Sequence, residues 1–401
     1  MSTLNQTPSG ERIHIAFFGR RNAGKSSLVN AFTGQDLAIV SDVAGTTTDP
    51  VYKAMELLPM GPVQIIDTPG LDDVGELGEM RVMKAKQVLN KTDVAIVVID
   101  ASKGKTQVEE EIIALVKDKN IPYVTVFNKI DLLDSVPVPS ENEIYVSAKE
   151  KKNIEELKEL VAKMAQGQEN QQKIVSDLLS PCDNVLLVVP IDKSAPKGRL
   201  ILPQQQTIRD ILDVGACATV CRDTELENVL SSMREPPRMV ITDSQVFGKI
   251  KDIVPPSVEL TSFSILMARH KGSLKSSILG AKAIETLCDG DRVLIAEGCT
   301  HHRQCEDIGT VKIPAMIRKY TGVDPEFVFT SGGTFPEDLS PYKMVVHCGG
   351  CTLPEKEMKY RMRSCKDSYV PVTNYGILIA YINGIIKRSI APFPEFLGIL
   401  E

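Results

Sequence analysis

The sequence predicts an α/β protein: one domain built on a mostly parallel sheet, followed by two smaller α/β domains. Three observations predict it. Apolar runs alternate with amphipathic stretches from residue 13 to 165, the same alternation resumes at 184, and His270-Lys271-Gly272 breaks it near 270. Short apolar runs read as strands buried on both faces, and the amphipathic stretches as the helices that cover them.

In the first block, 13–18, 63–67, 94–100, 123–128 and 144–146 are the expected strands, with helices at 25–33, 79–90, 106–119 and 152–165. A polar stretch over 151–172 runs from the last helix into a linker. In the second block, strands 185–190, 216–221, 238–242 and 258–263 alternate with helices 202–213, 224–233 and 244–253. The third has helices 273–287, 307–320, 355–364 and 375–388 around strands 292–296, 325–330 and 343–347. The expected domains are 1–170, 181–270 and 271–401, since 401 residues exceed what one core holds.

With 43% hydrophobic and 24% charged residues, the chain has the balance of an ordinary folded soluble protein. Its net charge of −6 argues against a broad nucleic-acid footprint, which needs an excess of Lys and Arg. The N-terminal stretch lacks the apolar core of a signal peptide, and no apolar run approaches the length that crosses a bilayer, so a cytoplasmic location without membrane contact is expected. All nine cysteines follow residue 181, and six of them fall between Cys288 and Cys365 together with three of the five histidines. In a reducing compartment such clustering points to metal chemistry rather than to disulfides.

Gly19-Arg20-Arg21-Asn22-Ala23-Gly24-Lys25-Ser26 fits the spacing of a phosphate-binding loop, between an expected strand and a helix opening at Ser26-Ser27. Backbone N–H groups of Gly19, Asn22, Ala23, Gly24 and the first helical turn through Ser27 would face phosphates. Lys25 would reach the terminal phosphates, and Ser26 would give its hydroxyl to Mg²⁺. Asp67-Thr68-Pro69-Gly70 ends a strand, where Asp67 can hold Mg²⁺ through water and Gly70 can donate to the γ-phosphate. Asn128-Lys129-Ile130-Asp131 ends another strand. There Asp131 can accept two N–H bonds from guanine, a pattern adenine does not offer. Asn128 would buttress the loops, the Lys129 stem would pack on the base, and Ser147-Ala148-Lys149 would offer backbone N–H to the guanine oxygen. In this order the set specifies GTP and GDP over ATP.

Through GRRNAGKSSL, VAGTTTDPV, DTPG, NKID and SAK, residues 12–165 resemble the TrmE–Era–EngA group of GTPases. The resemblance aligns Gly45–Asp49 with that group's switch motif and makes Thr47 the Mg²⁺-binding threonine, while Thr48 replaces the usual arginine. It also aligns Asn22 with an asparagine that coordinates K⁺ in potassium-stimulated members; the plain alternative is a loop-capping residue. Leu71 stands where Ras-like enzymes keep a water-orienting glutamine, so slow intrinsic hydrolysis is expected.

Cys299-Thr300-His301 follows one expected strand of the third block, and His347-Cys348-Gly349-Gly350-Cys351 follows another. Both sets lie past the carboxyl ends of strands, where open α/β sheets form crevices. Cys299, His301, Cys348 and Cys351 would make a tetrahedral zinc site, and the three thiolates alone would suit an iron–sulfur cluster. Spacing leaves both open. His302, Cys305, Cys182, Cys217, Cys221, Cys288 and Cys365 lack partners at a persuasive spacing and are read as structural.

A GTPase of this group followed by CxH and HCxxC resembles the HydF family of [FeFe]-hydrogenase maturation GTPases, through EGCTHHRQCEDIGTVKIP, FTSGGTFPEDL and HCGGC. The resemblance covers the chain. It implies a GTPase domain, a dimerisation domain at 181–270 and a cluster-binding domain at 271–401, with Cys299, Cys348 and Cys351 on a [4Fe–4S] cluster. It further implies a transient diiron precursor bearing CO and cyanide, delivered to apo-[FeFe]-hydrogenase, with radical-SAM maturases as partners. His301, His347 and Asp192 are candidates for the fourth ligand; for His347 an orienting hydrogen bond is the alternative, and for Asp192 a turn. Two rival functions are an RNA-modification or ribosome-assembly GTPase, suggested by the first domain alone, and a zinc-containing regulatory GTPase.

Overall fold

A strand that is apolar at every position needs cover on both faces, and the first sheet supplies it. Its strands are β1 (Ile13–Gly19), β2 (Val51–Leu57), β3 (Gly61–Asp67), β4 (Val94–Asp100), β5 (Tyr123–Asn128) and β6 (Glu143–Tyr145). They lie in the order β2-β3-β1-β4-β5-β6, and VAIVVID of β4 is buried throughout. Only the β2–β3 pair is antiparallel. The computed structural model describes residues 12–35, 50–70, 87–166, 173–191, 200–298, 307–350 and 353–399. It divides into two units, Met1–Asn170 and Gln171–Glu401.

The first unit adds helices α1 (Lys25–Thr33), α2 (Gln107–Asp118) and α3 (Ile154–Gln166). The α2 start is fixed by Glu109, which accepts the Thr106 backbone N–H at 2.9 Å as the N3 residue of a capping box does. Strand β2 was not legible in advance. VYKAMEL lies at the sheet edge with most of its residues exposed, so it carries no apolar run. Of the helix expected at 79–90, only residues from 87 onward are described.

The second unit holds two parallel four-stranded sheets. The first contains β7 (Asn184–Val188), β8 (Cys217–Cys221), β9 (Met239–Thr242) and β10 (Glu259–Ser262) in the order β10-β9-β7-β8. The second contains β11 (Arg292–Ala296), β12 (Glu326–Thr330), β13 (Met344–His347) and β14 (Val372–Asn374) in the order β12-β11-β13-β14. Three-residue β14 was missed because VTN is too short to make a pattern. Helices α4 (Leu202–Asp213), α5 (Leu226–Ser232), α6 (Phe247–Ile250) and α7 (Phe263–His270) accompany the first sheet. With the second go α9 (Ile313–Thr321) and α10 (Glu355–Asp367), while α8 (Leu274–Ala281) packs on β14 and also lends Leu274 and Ile278 to the first core. Helix α11 (Tyr375–Ile382) follows β14, and α12 (Ile386–Ile390) and α13 (Pro394–Leu397) return to the first sheet, where Ile386 and Ile390 join its core.

The expected helix 375–388 breaks at Asn383-Gly384, where Gly384 takes a φ of 69°. Its first half, α11, joins the two sheets. Ile377 and Ala380 enter the core around β7 and β9, whereas Tyr375, Leu378 and Ile379 enter the core around β11 and β13. Burying an aliphatic side chain of this size contributes roughly 1.5–3 kcal/mol, so a helix with two buried faces holds both sheets firmly.

Candidate functional site

The phosphate loop leaves β1 at its carboxyl end. Gly24, at φ 82°, is the N-cap of α1, and a Cβ there would sit 2.3 Å from Asn128 Nδ2. Only glycine combines that backbone with that approach. Asn128 ties three segments together: Nδ2 donates to the carbonyls of Ala23 (3.2 Å) and Gly24 (3.4 Å), and Oδ1 accepts the Ala148 N–H (3.0 Å). Lys129 donates to the Asn22 carbonyl (2.6 Å) and to Asp100 Oδ2 (2.7 Å). Ser147 donates to Asp131 Oδ1 at 2.7 Å, so that carboxylate is already oriented. Lys149 is exposed at the end of the same segment.

Ser26 Oγ donates to Asp67 Oδ2 at 3.1 Å, and Lys25 Nζ stands 4.0 Å from Asp67 Oδ1. Burial raises the Asp67 carboxyl above its ordinary range, against the opposing pull of Lys25 and Ser26. Asp67 Oδ1 is buried and accepts no hydrogen bond among the described residues. A hard divalent cation fits a buried carboxylate oxygen in that condition beside a serine hydroxyl. Gly70 abuts the loop, since a Cβ there would lie 2.9 Å from the Arg21 nitrogen. Asn22 has a φ of 61° and an exposed side chain. Thr47 lies outside the described residues.

Sequence reasoning missed two members of this cradle. Asp100 ends β4 and receives Lys129, a placement that a carboxylate closing an apolar run could have signalled. Glu109, fully buried, accepts Arg20 Nε at 2.7 Å and so couples α2 to the phosphate loop.

At the third sheet, β11 lies between β12 and β13, so the strand order reverses there and a crevice opens at the carboxyl ends. Ala296 of β11 pairs with His347 of β13, and the Cys348 N–H donates to the Ala296 carbonyl at 2.9 Å. The following residues converge. Gly298 donates its N–H to Cys348 Sγ at 3.0 Å, and the Gly350 N–H reaches the same sulfur at 3.4 Å. A Cβ on Gly298 would lie 3.4 Å from the Gly350 Cα. The residue before Cys299 and the residue before Cys351 are therefore in contact. Cys299, Cys351, His301 and Asp192 themselves, with His302 and Cys305, lie outside the described residues. Among the described residues, no group of three or more Cys, His, Asp or Glu side chains is arranged to hold a metal ion.

His347 is the fourth-ligand candidate whose alternative is an orienting hydrogen bond. It is fully buried; Arg361 Nη1 donates to its Nε2 at 3.0 Å, which leaves the proton on Nδ1, donated to the Cys348 carbonyl at 2.7 Å. Both ring nitrogens are hydrogen-bonded, an arrangement that suits the orienting alternative. Burial, then the Arg361 charge, pushes the ring down to about 3 and keeps it neutral. Arg361 is also fully buried, bonding Glu357 Oε1 (2.8 Å) and the Gly332 carbonyl (2.7 Å). No sequence signal marked Arg361, one charge among many on α10. Of the cysteines read as structural, Cys365 is buried and pushed up to about 12 by desolvation, but Cys182, Cys217 and Cys288 are exposed.

Three family models match the chain. They are a 50S ribosome-binding GTPase over residues 14–129, the hydrogen maturase F dimerization domain over 174–272, and the hydrogen maturase F tetramerization domain over 275–392. The two maturase models together cover more than half of the chain. Among curated proteins, the tRNA modification GTPase MnmE of Thiobacillus denitrificans is 34% identical over 149 residues, 37% of this chain and 33% of that protein. MnmE of Legionella pneumophila is 37% identical over 155 residues, 38% of this chain and 34% of that protein. The chain thus spans about a third of the length of these relatives, and the likeness is one of G domains. Among solved structures, Era from Aquifex aeolicus is similar with a TM-score of 0.34 and 22% identity, covering 52% of this chain and 92% of that one. No helix among the described residues is long and apolar enough to cross a membrane. With a GTPase domain followed in order by both maturase domains, the chain belongs to the hydrogen maturase F family.

Proposed function

We propose that this GTPase is a scaffold that holds a [4Fe–4S] cluster on Cys299, Cys348 and Cys351 and delivers a diiron precursor to apo-[FeFe]-hydrogenase. The observation that supports it most is the Gly298 N–H on Cys348 Sγ, which joins the ends of two cysteine segments 50 residues apart. N–H donors favour the thiolate form, the form that binds iron. The cysteine-rich donor set and the crevice beyond β11 and β13 suit a soft, thiolate-bound cofactor. When bound, an incompletely thiolate-ligated cluster would supply one iron with an exchangeable position for the precursor. The chain's own residues fix the loops: His347 holds the Cys348 carbonyl, and Gly298 and Gly350 hold its sulfur. His301, His347 and Asp192 are the fourth-ligand candidates, with the hydrogen bonds of His347 favouring the other two.

In the G domain, Ser26, Thr47 and Asp67 hold Mg²⁺, and Asn22 holds K⁺ beside the phosphates. The nucleotide state sets which surfaces the hydrogenase and the radical-SAM maturases meet, on an assembly that is at least a dimer. The chain works in the cytoplasm, on neither nucleic acid nor membrane.

Anaerobic reconstitution with iron and sulfide, followed by absorbance and EPR, tests the reading. Uptake of one cluster per chain, lost in Cys348→Ala and Cys299→Ala, is the expected result. Stoichiometric zinc with no cluster uptake would replace it with the zinc-regulated GTPase.

A further inference from the structure

Lys271 stands at the seam between the two maturase domains, one residue past α7 and three before α8. Its backbone is fixed from both sides: the Lys271 N–H bonds the Met267 carbonyl at 3.0 Å, and Gly272 follows at φ 70°. From there the side chain reaches 79 residues along the chain. Its ammonium donates to the Gly350 carbonyl and, at 3.2 Å, to the Leu353 carbonyl. Those carbonyls bracket Cys351 in sequence, and the Leu353 N–H bonds the Gly350 carbonyl at 3.1 Å. Two hydrogen bonds from one half-buried ammonium hold the Gly350 and Leu353 backbone in addition to the bond those two residues share.

We propose that Lys271 is a positioning residue for the cysteine loop, pinning the backbone around Cys351 from the domain seam and setting a positive charge beside an anionic, thiolate-bound cofactor. The second half of this inference rests on the cluster reading above; the first half does not. A lysine at this point also gives the loop a mechanical connection to the segment between the oligomerisation domains. Three thiolates and a cyanide-bearing guest are all anionic, so a fixed cation there favours holding both.

The test uses the full chain with Lys271→Met, Lys271→Arg and, as a control, Lys275→Met at an exposed position of α8. In the metal-free chain, amide exchange over residues 347–354 is expected to rise about tenfold in Lys271→Met and to stay near its original rate in the other two. After reconstitution, retention of iron against a chelator should fall roughly 10- to 100-fold in Lys271→Met, a typical loss for a group that supports a ligand. The cluster's reduction potential should move to more negative values, because removing a nearby cation disfavours the added electron; Lys271→Arg should restore it. GTP turnover, unchanged in all three, reports that the chain is folded. Unaltered loop exchange in Lys271→Met overturns the clamp, whether or not a cluster binds. Altered exchange with an unchanged potential overturns the electrostatic part. Failure of the unsubstituted chain to take up iron and sulfide overturns the cluster reading, and with it that electrostatic part, while exchange still decides the clamp.

Discussion

The backbone nitrogen of Gly298 lies 3.0 Å from Cys348 Sγ, although 50 residues separate them in sequence. The contact needs a residue without a side chain, because a Cβ on Gly298 would meet Leu353 Cγ at 2.8 Å. Gly298→Ala should therefore push the loops apart, at about 1–3 kcal/mol of overpacking. Since the obstacle is one side chain, Gly298→Ala combined with Leu353→Ala should recover most of the loss. Iron retained after reconstitution is the measurement. No recovery in the double variant would mean that the alanine acts elsewhere.

Arg361 and Glu357 form a fully buried ion pair beneath that loop, with the guanidinium also over the Phe335 ring at 5.0 Å. Removing one partner of a buried pair strands the other, at about 3–5 kcal/mol. Arg361→Met should cost that much in the unfolding step of the second unit, and Arg361→Met with Glu357→Gln distinctly less. Equal losses in the single and double variants would show that the pair is not coupled. Because His347 loses its Nε2 donor in either variant, both should also loosen the Cys348 carbonyl.

The features legible in the sequence were those whose physics is local. A glycine loop between strand and helix, and carboxylates at strand ends, carry their spacing with them, so Lys25, Ser26, Asp67, Asn128 and Asp131 could be read together from the sequence. The rule that crevices open beyond parallel strands placed the Cys299 and Cys348–Cys351 segments at strand ends, but it did not name the Gly298 contact with Cys348. What escaped notice depends on tertiary packing. Edge strand β2 has no apolar run, β14 is three residues long, and Lys271, Glu357 and Arg361 look like any surface charges until the chain is folded. His347 was half-legible: its place beside Cys348 was plain, its Arg361 partner was not.

Cysteine reactivity separates the thiols by environment. Cys365 is fully buried and pushed up to about 12, and Cys221 is pushed up to about 11, chiefly by desolvation. The thiolate is the nucleophile, so at pH 8 both should resist iodoacetamide, while exposed Cys182, Cys217 and Cys288 react. As pH rises toward 11, Cys221 should gain reactivity before Cys365. Mass mapping of the alkylated sites reads the order, and early labelling of Cys365 in the folded chain would contradict its burial.

Ser147 holds Asp131 with one carboxylate oxygen engaged, which orients the group for a guanine edge. Asp131→Asn replaces an acceptor with a donor at that edge. Losing charge-assisted bonds should cost GTP affinity about 3 kcal/mol, or ~100-fold. A base with a carbonyl in place of the guanine amine, xanthine, should regain much of the loss. Binding of xanthosine and guanosine triphosphates to the variant decides it, and undiminished GTP affinity would exclude Asp131 from base recognition.

Asn22 bears on the ion dependence of hydrolysis. Its backbone is committed, since its carbonyl accepts Lys129 at 2.6 Å and its φ is 61°, but its exposed side chain makes no hydrogen bond among the described residues. A capping asparagine would spend its amide on the loop; on the proposed reading the side-chain oxygen of Asn22 takes a monovalent cation instead. A monovalent ion there would offset charge developing between the phosphates, as an arginine finger does. GTP turnover in KCl should then exceed that in NaCl by about tenfold, a modest share of what one electrostatic contact to a transition state supplies. Asn22→Ala should bring the KCl rate down to the NaCl rate while leaving GDP affinity nearly unchanged, because the ion acts mainly on the transition state. Equal turnover in the two salts, with the unsubstituted chain saturated in GTP and Mg²⁺, would remove the ion from the mechanism and leave hydrolysis to Lys25 and the divalent metal.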